Sequence, residues 1–288
     1  MPPRAGRAIA SVAAALEYRL RPARRAAVLS NLEMIGLAGH PRLVLRSDRE
    51  RAARSVFRSY HRFVIEFLAQ RALDRAGWDR AFRFSGMDVL YGAVSQGRGA
   101  IIAASHLGNW ELSGLALARL GFQVHVVTGT QLHPALHGAV RALKEDAGIA
   151  VSTPDDGFVP LLETLRRGGL VVLLVDGDIY TRGVRARFFN RSVPFPAGPA
   201  LLARRSGAPL LHAHTARSGG HHQISFDGAD TPDRALPLDR DLERLTERMA
   251  EAQERNIAAH VAQWCIFRPF FLGDTAVAAA GEATGDAA

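Results

Sequence analysis

A histidine and a glutamate, five positions apart, follow a short apolar run near the middle of the chain. Residues 100–114 have the sequence AIIAASHLGNWELSG, with His106 at the end of the run and Glu111 opening a new apolar pattern. On one ideal helix these two residues would lie about 500° apart, so their side chains would face different directions. They can meet if His106 ends a strand and Glu111 lies in the first turn of the next helix. Gly108 permits the tight turn, and Asn109 is a good helix N-cap.

This arrangement favours acid–base chemistry on a hydroxyl group. The helix dipole favours a carboxylate in a first helical turn, so Glu111 is suited to hold one imidazole nitrogen of His106. The other nitrogen is then a base that can take a proton from a hydroxyl, which the substrate must bring. The alternative interpretation is structural: His106 caps a helix, and Glu111 only complements the dipole.

The surrounding elements predict an α/β fold with a mostly parallel central sheet flanked by helices. Predicted strands cover residues 99–105, 122–128, 148–152, 170–175, 208–214 and 221–226. Predicted helices cover residues 110–120, 135–147, 157–167, 197–206 and 239–263. Residues 1–75 have helical periodicity throughout, which predicts a helical N-terminal part. We expect one domain over residues 1–272 and a disordered tail of small residues over 273–288.

The net charge limits the classes of partner that the chain is expected to bind, and the cysteine content limits its possible disulfides and metal sites. A net charge of +8 favours anionic partners such as anionic lipid or an acidic carrier protein. No basic run is interleaved with aromatic residues, so nucleic acid is the weaker choice. Cys265 is the single cysteine, which excludes an internal disulfide and a cysteine-built metal site. We expect Cys265 to pack rather than act as a nucleophile.

The N-terminal segment is amphipathic. An apolar run over residues 8–16 follows two arginines, and further basic residues come soon after it. This pattern predicts a helix lying in a membrane interface, or alternatively a helix docked on the core. No stretch reaches the roughly 18 apolar residues that a spanning helix needs, so any membrane contact is expected to be peripheral.

Several other polar and aromatic residues have two interpretations. Asp176 and Asp178 follow a predicted strand, and they suit turn hydrogen bonds better than a magnesium site. The histidines near the last strands are too few at any one place to predict zinc, and we expect no metal; they are His212, His214, His221 and His222. Tyr180 and the pair Phe188–Phe189 either line a groove for an apolar ligand or belong to the core.

The segment SHLGNWELSG resembles the H-x-G-N-W-E/D motif of the lipid A late acyltransferases (lauroyl and myristoyl transferases). It is also similar to the related phosphatidylinositol mannoside acyltransferases, within the lysophospholipid acyltransferase superfamily. Four more segments resemble the family in the same order: RRAAVLSNLEMI, VDGDIY, VRARFFNRSVPFPAGPALLARRSGAPLLHAH and AQWCIFRPF. The resemblance covers nearly the whole chain and implies a glycerol-phosphate-acyltransferase-like fold.

The resemblance implies transfer of a fatty acyl chain from a thioester, acyl-ACP or acyl-CoA, to a hydroxyl of a membrane lipid or glycolipid. His106 would be the general base and Glu111 its orienting partner, without a metal or cofactor. The implied location is peripheral, on the cytoplasmic face of the inner membrane. The implied substrate-binding residues are Asn109, Arg141, Lys144, Asp176, Asp178, Arg185 and Arg187. Backbone N–H groups from Gly108 to Trp110, or an arginine, are the candidates for stabilising the oxyanion.

The chain departs from the family pattern at three places. The family often carries a spanning N-terminal helix, which we do not expect here. Asn190 stands where the family motif F-F-G has glycine, and either Arg141 or Lys144 takes the place of a functional arginine. Two other functions therefore stay open: a hydrolase that uses the same pair of residues to activate water, and a lipid-binding protein without catalysis.

Overall fold

A computed structural model of the chain describes residues 4–129, 134–176 and 183–271. The helices of these segments are α1 (Arg4–Leu20), α2 (Pro22–Leu37), α3 (Arg46–Leu68), α4 (Arg75–Ala81), α5 (Met87–Val94), α6 (Trp110–Arg119), α7 (Pro134–Glu145), α8 (Val159–Arg166), α9 (Gly198–Ser206) and α10 (Leu238–Ala259). The strands are β1 (Phe82–Ser85), β2 (Ala100–Ala104), β3 (Val124–Val127), β4 (Ala150–Ser152), β5 (Leu170–Leu174), β6 (Val184–Phe188), β7 (Arg191–Phe195), β8 (Leu210–Ser218) and β9 (His221–Asp230).

Seven strands form one sheet in the order β1-β9-β8-β2-β5-β3-β4. The five strands from β8 to β4 are parallel, while β9 pairs antiparallel with β8 and β1 runs parallel to β9. The predicted α/β class with a mostly parallel sheet and a helical N-terminal part is confirmed. All six predicted strands are present. The sequence analysis missed β1 and the separate β6–β7 hairpin.

Two hydrophobic cores cover the two faces of the sheet. The alternation of side chains along β2 divides them: Ile101 and Ala103 face one core, while Ala100 and Ile102 face the other. The first core is covered by α8, α9 and α10 together with the N-terminal helices, and the second by α4, α5 and α6. Because β2 is central and buried on both faces, its sequence is apolar throughout rather than alternating.

The N-terminal helices hold the C-terminal segment in place. The Asn31 amide of α2 donates to the Arg268 carbonyl at 2.8 Å and accepts from the Phe270 N–H at 2.7 Å. Phe57 of α3 is fully buried and makes edge contacts with Tyr18 and Phe267. The contacts of Asn31 and Phe57 with residues 267–270 join segments more than 200 positions apart, close to the carboxyl edge of the sheet.

The β6–β7 hairpin explains the asparagine that departs from the family motif. Phe189 and Asn190 connect the two strands with φ values of 49° and 59°. Both values lie in the left-handed region, where glycine is most favourable and asparagine is the best tolerated alternative. Asn190 therefore keeps the turn geometry that glycine provides.

Within the described segments, none of the helices combines the length and apolarity needed to cross a bilayer. The tail predicted over residues 273–288 lies outside the described residues.

Candidate active site

His106 lies just beyond the carboxyl end of β2, and Asp176 lies just beyond the carboxyl end of β5. These strands are parallel neighbours with Ala104 in register with Leu174, so the two polar residues emerge side by side. The carboxyl edge of a parallel sheet is where ligand sites form in open α/β folds.

The Asp176 carboxylate is the partner of His106. Its Oδ1 lies 2.8 Å from His106 Nδ1, and both oxygens accept from the His106 backbone N–H at 3.0 Å. Trp264 Nε1 donates to Oδ2 at 2.7 Å. Asp176 is almost completely buried, and these donors satisfy a carboxylate that would otherwise be costly to bury. Because Nδ1–H donates to Asp176, Nε2 is the basic nitrogen of the His106 ring.

This geometry corrects the partner expected from the sequence. Glu111 lies in the first turn of α6, as predicted, but its Oε2 pairs with Lys144 Nζ at 2.8 Å. Lys144 is almost fully buried near the end of α7. The spacing argument placed Glu111 near the site correctly, but it could not detect that a second carboxylate comes closer to the ring from the neighbouring strand.

The turn that carries His106 is bonded to the C-terminal segment. The Cys265 N–H donates to the His106 carbonyl at 2.8 Å, and the Gly108 N–H donates to the Gln263 carbonyl at 3.1 Å. The Gly108 N–H is therefore engaged and is not a free oxyanion donor. Gly108 has φ of 66°, and a Cβ there would lie 2.3 Å from the Thr215 carbonyl oxygen, so the turn requires glycine.

The Asn109 side chain is hydrogen-bonded to neighbouring protein groups on two sides. Its Oδ1 accepts from the Leu112 N–H at 3.2 Å, which is the predicted N-cap bond, and its Nδ2 donates to Glu66 at 3.2 Å. The residue is fully buried. Its side chain is therefore occupied by protein contacts, which differs from the substrate contact that the family resemblance implied.

Glu66 of α3 is the centre of a buried ionic cluster. Arg217 Nη2 donates to it at 2.7 Å, and His222 Nε2 lies 3.5 Å from the same oxygen. Burial opposes ionisation of Glu66, but the adjacent Arg217 together with His222 and Arg62 lowers the pKa of this carboxyl. Burial lowers the pKa of His222 to about 4, with the attraction of Glu66 only partly opposing it. Glu66 therefore ties α3, the His106 turn and β8 together.

A cavity of about 760 Å³ opens beside His106. This volume is within the range of small-molecule sites. Trp110 stacks on Phe63 with 4.1 Å between the ring centroids. It also packs against the His106 ring in a T-shaped arrangement, with 4.9 Å between the centroids, so the imidazole is also held by an aromatic contact. Most of the wall is aliphatic or aromatic, and its cationic side chains are Arg24, Arg141, Lys144 and Arg268.

The other candidate residues fall in three groups. Arg141 lines the cavity and pairs with Glu145 at 2.7 Å. Arg185 and Arg187 lie on β6, bonded to residues of their own hairpin, and are not among the described residues that line the cavity. Asp178 and Tyr180 lie outside the described residues.

No metal site was expected, and the described segments contain no group of three histidine, cysteine or acidic side chains placed to hold an ion. His212 pairs with Asp230 and His214 with Asp227, each pair within 2.8 Å. Burial raises the pKa of the Cys265 thiol to about 12, so it is a poor nucleophile.

The sequence analysis missed three residues of this site. It assigned no role in the site to Trp264, Glu66 or Arg268, although Arg268 Nη2 donates to the Asp176 carbonyl at 3.3 Å. The closing segment AQWCIFRPF contained the only signal for Trp264 and Arg268, namely its resemblance to a family motif. Glu66 carried no signal, because a lone acidic residue in a charged helix has no local pattern.

Comparison with known proteins agrees with the family resemblance. The family model described as bacterial lipid A biosynthesis acyltransferase matches residues 1–272. The chain belongs to this family.

Two mycobacterial proteins illustrate the similarity. A phosphatidylinositol mannoside acyltransferase of Mycobacterium tuberculosis is 31% identical over 212 residues, which cover 71% of this chain and 62% of that relative. Another, from Mycolicibacterium smegmatis, is 28% identical over 230 residues, covering 77% of this chain and 72% of that relative. The match to the first relative thus spans less than two thirds of its length.

The buried His222 makes stability depend on pH. An unfolded histidine has a pKa near 6.5 and His222 has one of about 4, so between these values the unfolded state binds more protons. The free energy of unfolding should therefore fall as the pH drops from about 6.5 toward about 4, by roughly 3 kcal/mol from this residue. Urea unfolding at both ends of this range measures the loss.

The matched control is His222→Gln, which keeps a side chain that can donate to Glu66 but does not titrate. His61, His125 and His260 also have lowered pKa values and titrate in both proteins. Between the same two pH values, the free energy of unfolding of His222→Gln should fall by roughly 3 kcal/mol less than that of the wild type. An equal loss in both proteins would contradict the assignment.

The Glu111–Lys144 pair should behave as a unit. Removing one partner leaves a buried charge, so Glu111→Gln or Lys144→Met should each cost roughly 3–5 kcal/mol of unfolding free energy. The double variant should lose less than the two single losses together. The exposed pair Arg71–Asp146 is the control, because Asp146→Asn should cost about 1 kcal/mol or less. Additive losses at Glu111 and Lys144 would show that they do not interact.

Proposed function

We propose that the protein is an O-acyltransferase that moves a fatty acyl chain from a thioester to a hydroxyl of a membrane lipid or glycolipid. The donor would be acyl-ACP or acyl-CoA, and a phosphatidylinositol mannoside is the acceptor suggested by the mycobacterial relatives. The single observation that carries the proposal is a histidine base, held by a buried carboxylate, at the wall of a largely apolar cavity.

Asp176 fixes the state of the base. With Nδ1–H donating to Asp176, Nε2 of His106 accepts the proton of the acceptor hydroxyl. The imidazolium that forms is stabilised by the buried carboxylate beside it. Glu111 would act one step away, through its pair with Lys144, by holding α6 against α7 next to the site.

The reaction then proceeds in two balanced steps. As His106 Nε2 takes the proton, the acceptor oxygen attacks the thioester carbonyl and a tetrahedral intermediate forms. The intermediate collapses, the carbon–sulfur bond breaks, and the thiolate leaves with the proton from the imidazolium. The products are the new ester and the free thiol of the donor, and no metal or cofactor enters the chemistry.

The cavity suits the acyl chain. Its wall is mainly Val, Leu, Ile, Phe and other apolar side chains, so a hydrocarbon chain gains free energy by leaving water. Arg24 and Arg268 line the same cavity and offer positive charge for phosphate groups of a donor or acceptor.

Removing the base should abolish acyl transfer, and removing its partner should slow it strongly. His106→Ala should reduce transfer to background, and Asp176→Asn should reduce kcat by roughly 10²- to 10⁴-fold, because the amide favours the wrong tautomer. The measurement follows label from acyl-CoA into phosphatidylinositol mannoside. The thiol released should equal the ester formed.

The control variant is His212→Ala, which removes a histidine of another His–Asp pair that is not among the described residues lining the cavity. It should not reproduce the loss seen with His106→Ala. If His106→Ala transferred acyl chains at the wild-type rate, the proposed mechanism would be wrong. Release of free fatty acid by the wild type, without ester, would instead establish a hydrolase.

The outer surface of α1 supports membrane contact. Ile9, Val12, Leu16 and Leu20 recur at helical spacing and are each at least half exposed. Arg19 and Arg21 are exposed at the end of this helix. An exposed apolar stripe beside basic residues is typical of helices that lie in an anionic membrane surface.

Adding a charge to this stripe should weaken membrane binding. Leu16→Glu should reduce affinity for vesicles containing anionic phospholipid by 10-fold or more, because it loses apolar burial and adds repulsion. Vesicle sedimentation measures the affinity. Leu238→Glu is the matched control, since Leu238 is 52% exposed on α10 and Leu16 is 51% exposed. Equal binding by both variants would contradict contact through α1.

A further inference from the structure

Gly114 lies on the side of α6 that faces the cavity. Trp110, Ser113, Gly114 and Leu117 line the cavity and form one stripe of the helix. Gly114 is three residues beyond Glu111, roughly 4.5 Å farther along the helix axis from the turn that carries His106. Along α6 it therefore lies farther than Glu111 from the turn that carries His106.

The facing wall is a row of aliphatic side chains across four strands. Ile102 is in register with Val172, Val172 with Val126, and Val126 with Val151. All four line the cavity, and the three valines are only partly buried although they belong to the central sheet. This part of the cavity offers hydrocarbon contacts, which fit a linear acyl chain.

Nothing in the backbone requires glycine at position 114. Its φ is not in the left-handed region, unlike that of Gly108. A Cβ at Gly114 would approach only Ile149 Cδ1, at 3.8 Å, which is an ordinary contact. Glycine inside a helix is less favourable than alanine. What the missing side chain provides is space between α6 and Ile149.

We propose that Gly114 sets the length of the acyl chain that the cavity accepts. The inference rests on the proposed acyl transfer and deepens it by naming a residue that determines chain-length specificity. The ligand is a linear saturated fatty acyl group, whose far methylenes pass between Gly114, Ile149 and the valine row. A side chain at position 114 occupies the volume of those methylenes, because a packed cavity cannot hold both.

The test compares Gly114→Ala and Gly114→Leu with the wild type. Straight-chain fatty acids of graded length are bound to each protein and measured by calorimetry, and acyl-CoA thioesters of the same lengths are used for transfer. Gly114→Leu should shorten the preferred chain by about four carbons, the number in the new side chain, and Gly114→Ala by about one. The ratio of long-chain to short-chain affinity should fall on the order of 100-fold for Gly114→Leu, since about four methylenes would lose their burial.

Gly92→Leu is the matched control. Gly92 is exposed on α5, and a Cβ there would meet no atom within 4 Å. This variant makes the same change in another helix and should keep the wild-type chain-length profile.

Identical profiles for the wild type and Gly114→Leu would overturn the inference, provided that circular dichroism shows both folded. If Gly114→Leu does not fold, Gly114→Ala decides, because its methyl group makes only an ordinary contact. A shifted binding profile without any transfer would reject the proposed reaction and keep the inference as a binding selectivity. A shift in Gly92→Leu equal to that in Gly114→Leu would also overturn it.

Discussion

The buried carboxylate of Asp176 is the interaction on which the rest of the site depends. It accepts hydrogen bonds from the His106 backbone, the His106 ring and the Trp264 indole. An unpaired carboxylate at this depth would be strongly unfavourable, so these three donors must converge for the fold to be stable. One requirement of stability thus fixes the tautomer, the direction and the depth of the imidazole.

Contacts around this carboxylate also hold the segment of residues 263–270 at the carboxyl edge of the sheet. Trp264 reaches Asp176 only because backbone bonds from Gln263 and Cys265 hold its segment against the His106 turn. Asn31 holds the residues that follow, and Glu66 holds the turn from α3. The helical N-terminal part is therefore structural support for the site.

The cavity has a charged part and an apolar part. Near His106 it carries the charged pair Glu111–Lys144, whose buried charges satisfy each other and hold α6 beside α7. Farther along α6, the facing wall consists mainly of aliphatic side chains, and the absence of a side chain at Gly114 leaves space beside it. In the proposed reaction, the thioester carbon would meet the base near His106 while its hydrocarbon chain stays out of water.

The sequence by itself determined six of the seven strands of the sheet, the helix that follows the histidine, and its N-cap. These depend on local patterns: the apolar runs of β2 and β5, the glycine of the tight turn, and Asn109 before α6. The family motifs added the likeness to lipid acyltransferases. Only the tertiary structure decided that Asp176, and not Glu111, holds the ring. Strand pairing brings β5 beside β2 across 70 positions, and no local spacing contains that distance. The same is true of Glu66 and of the space beside Gly114, which exist only once separate elements pack together.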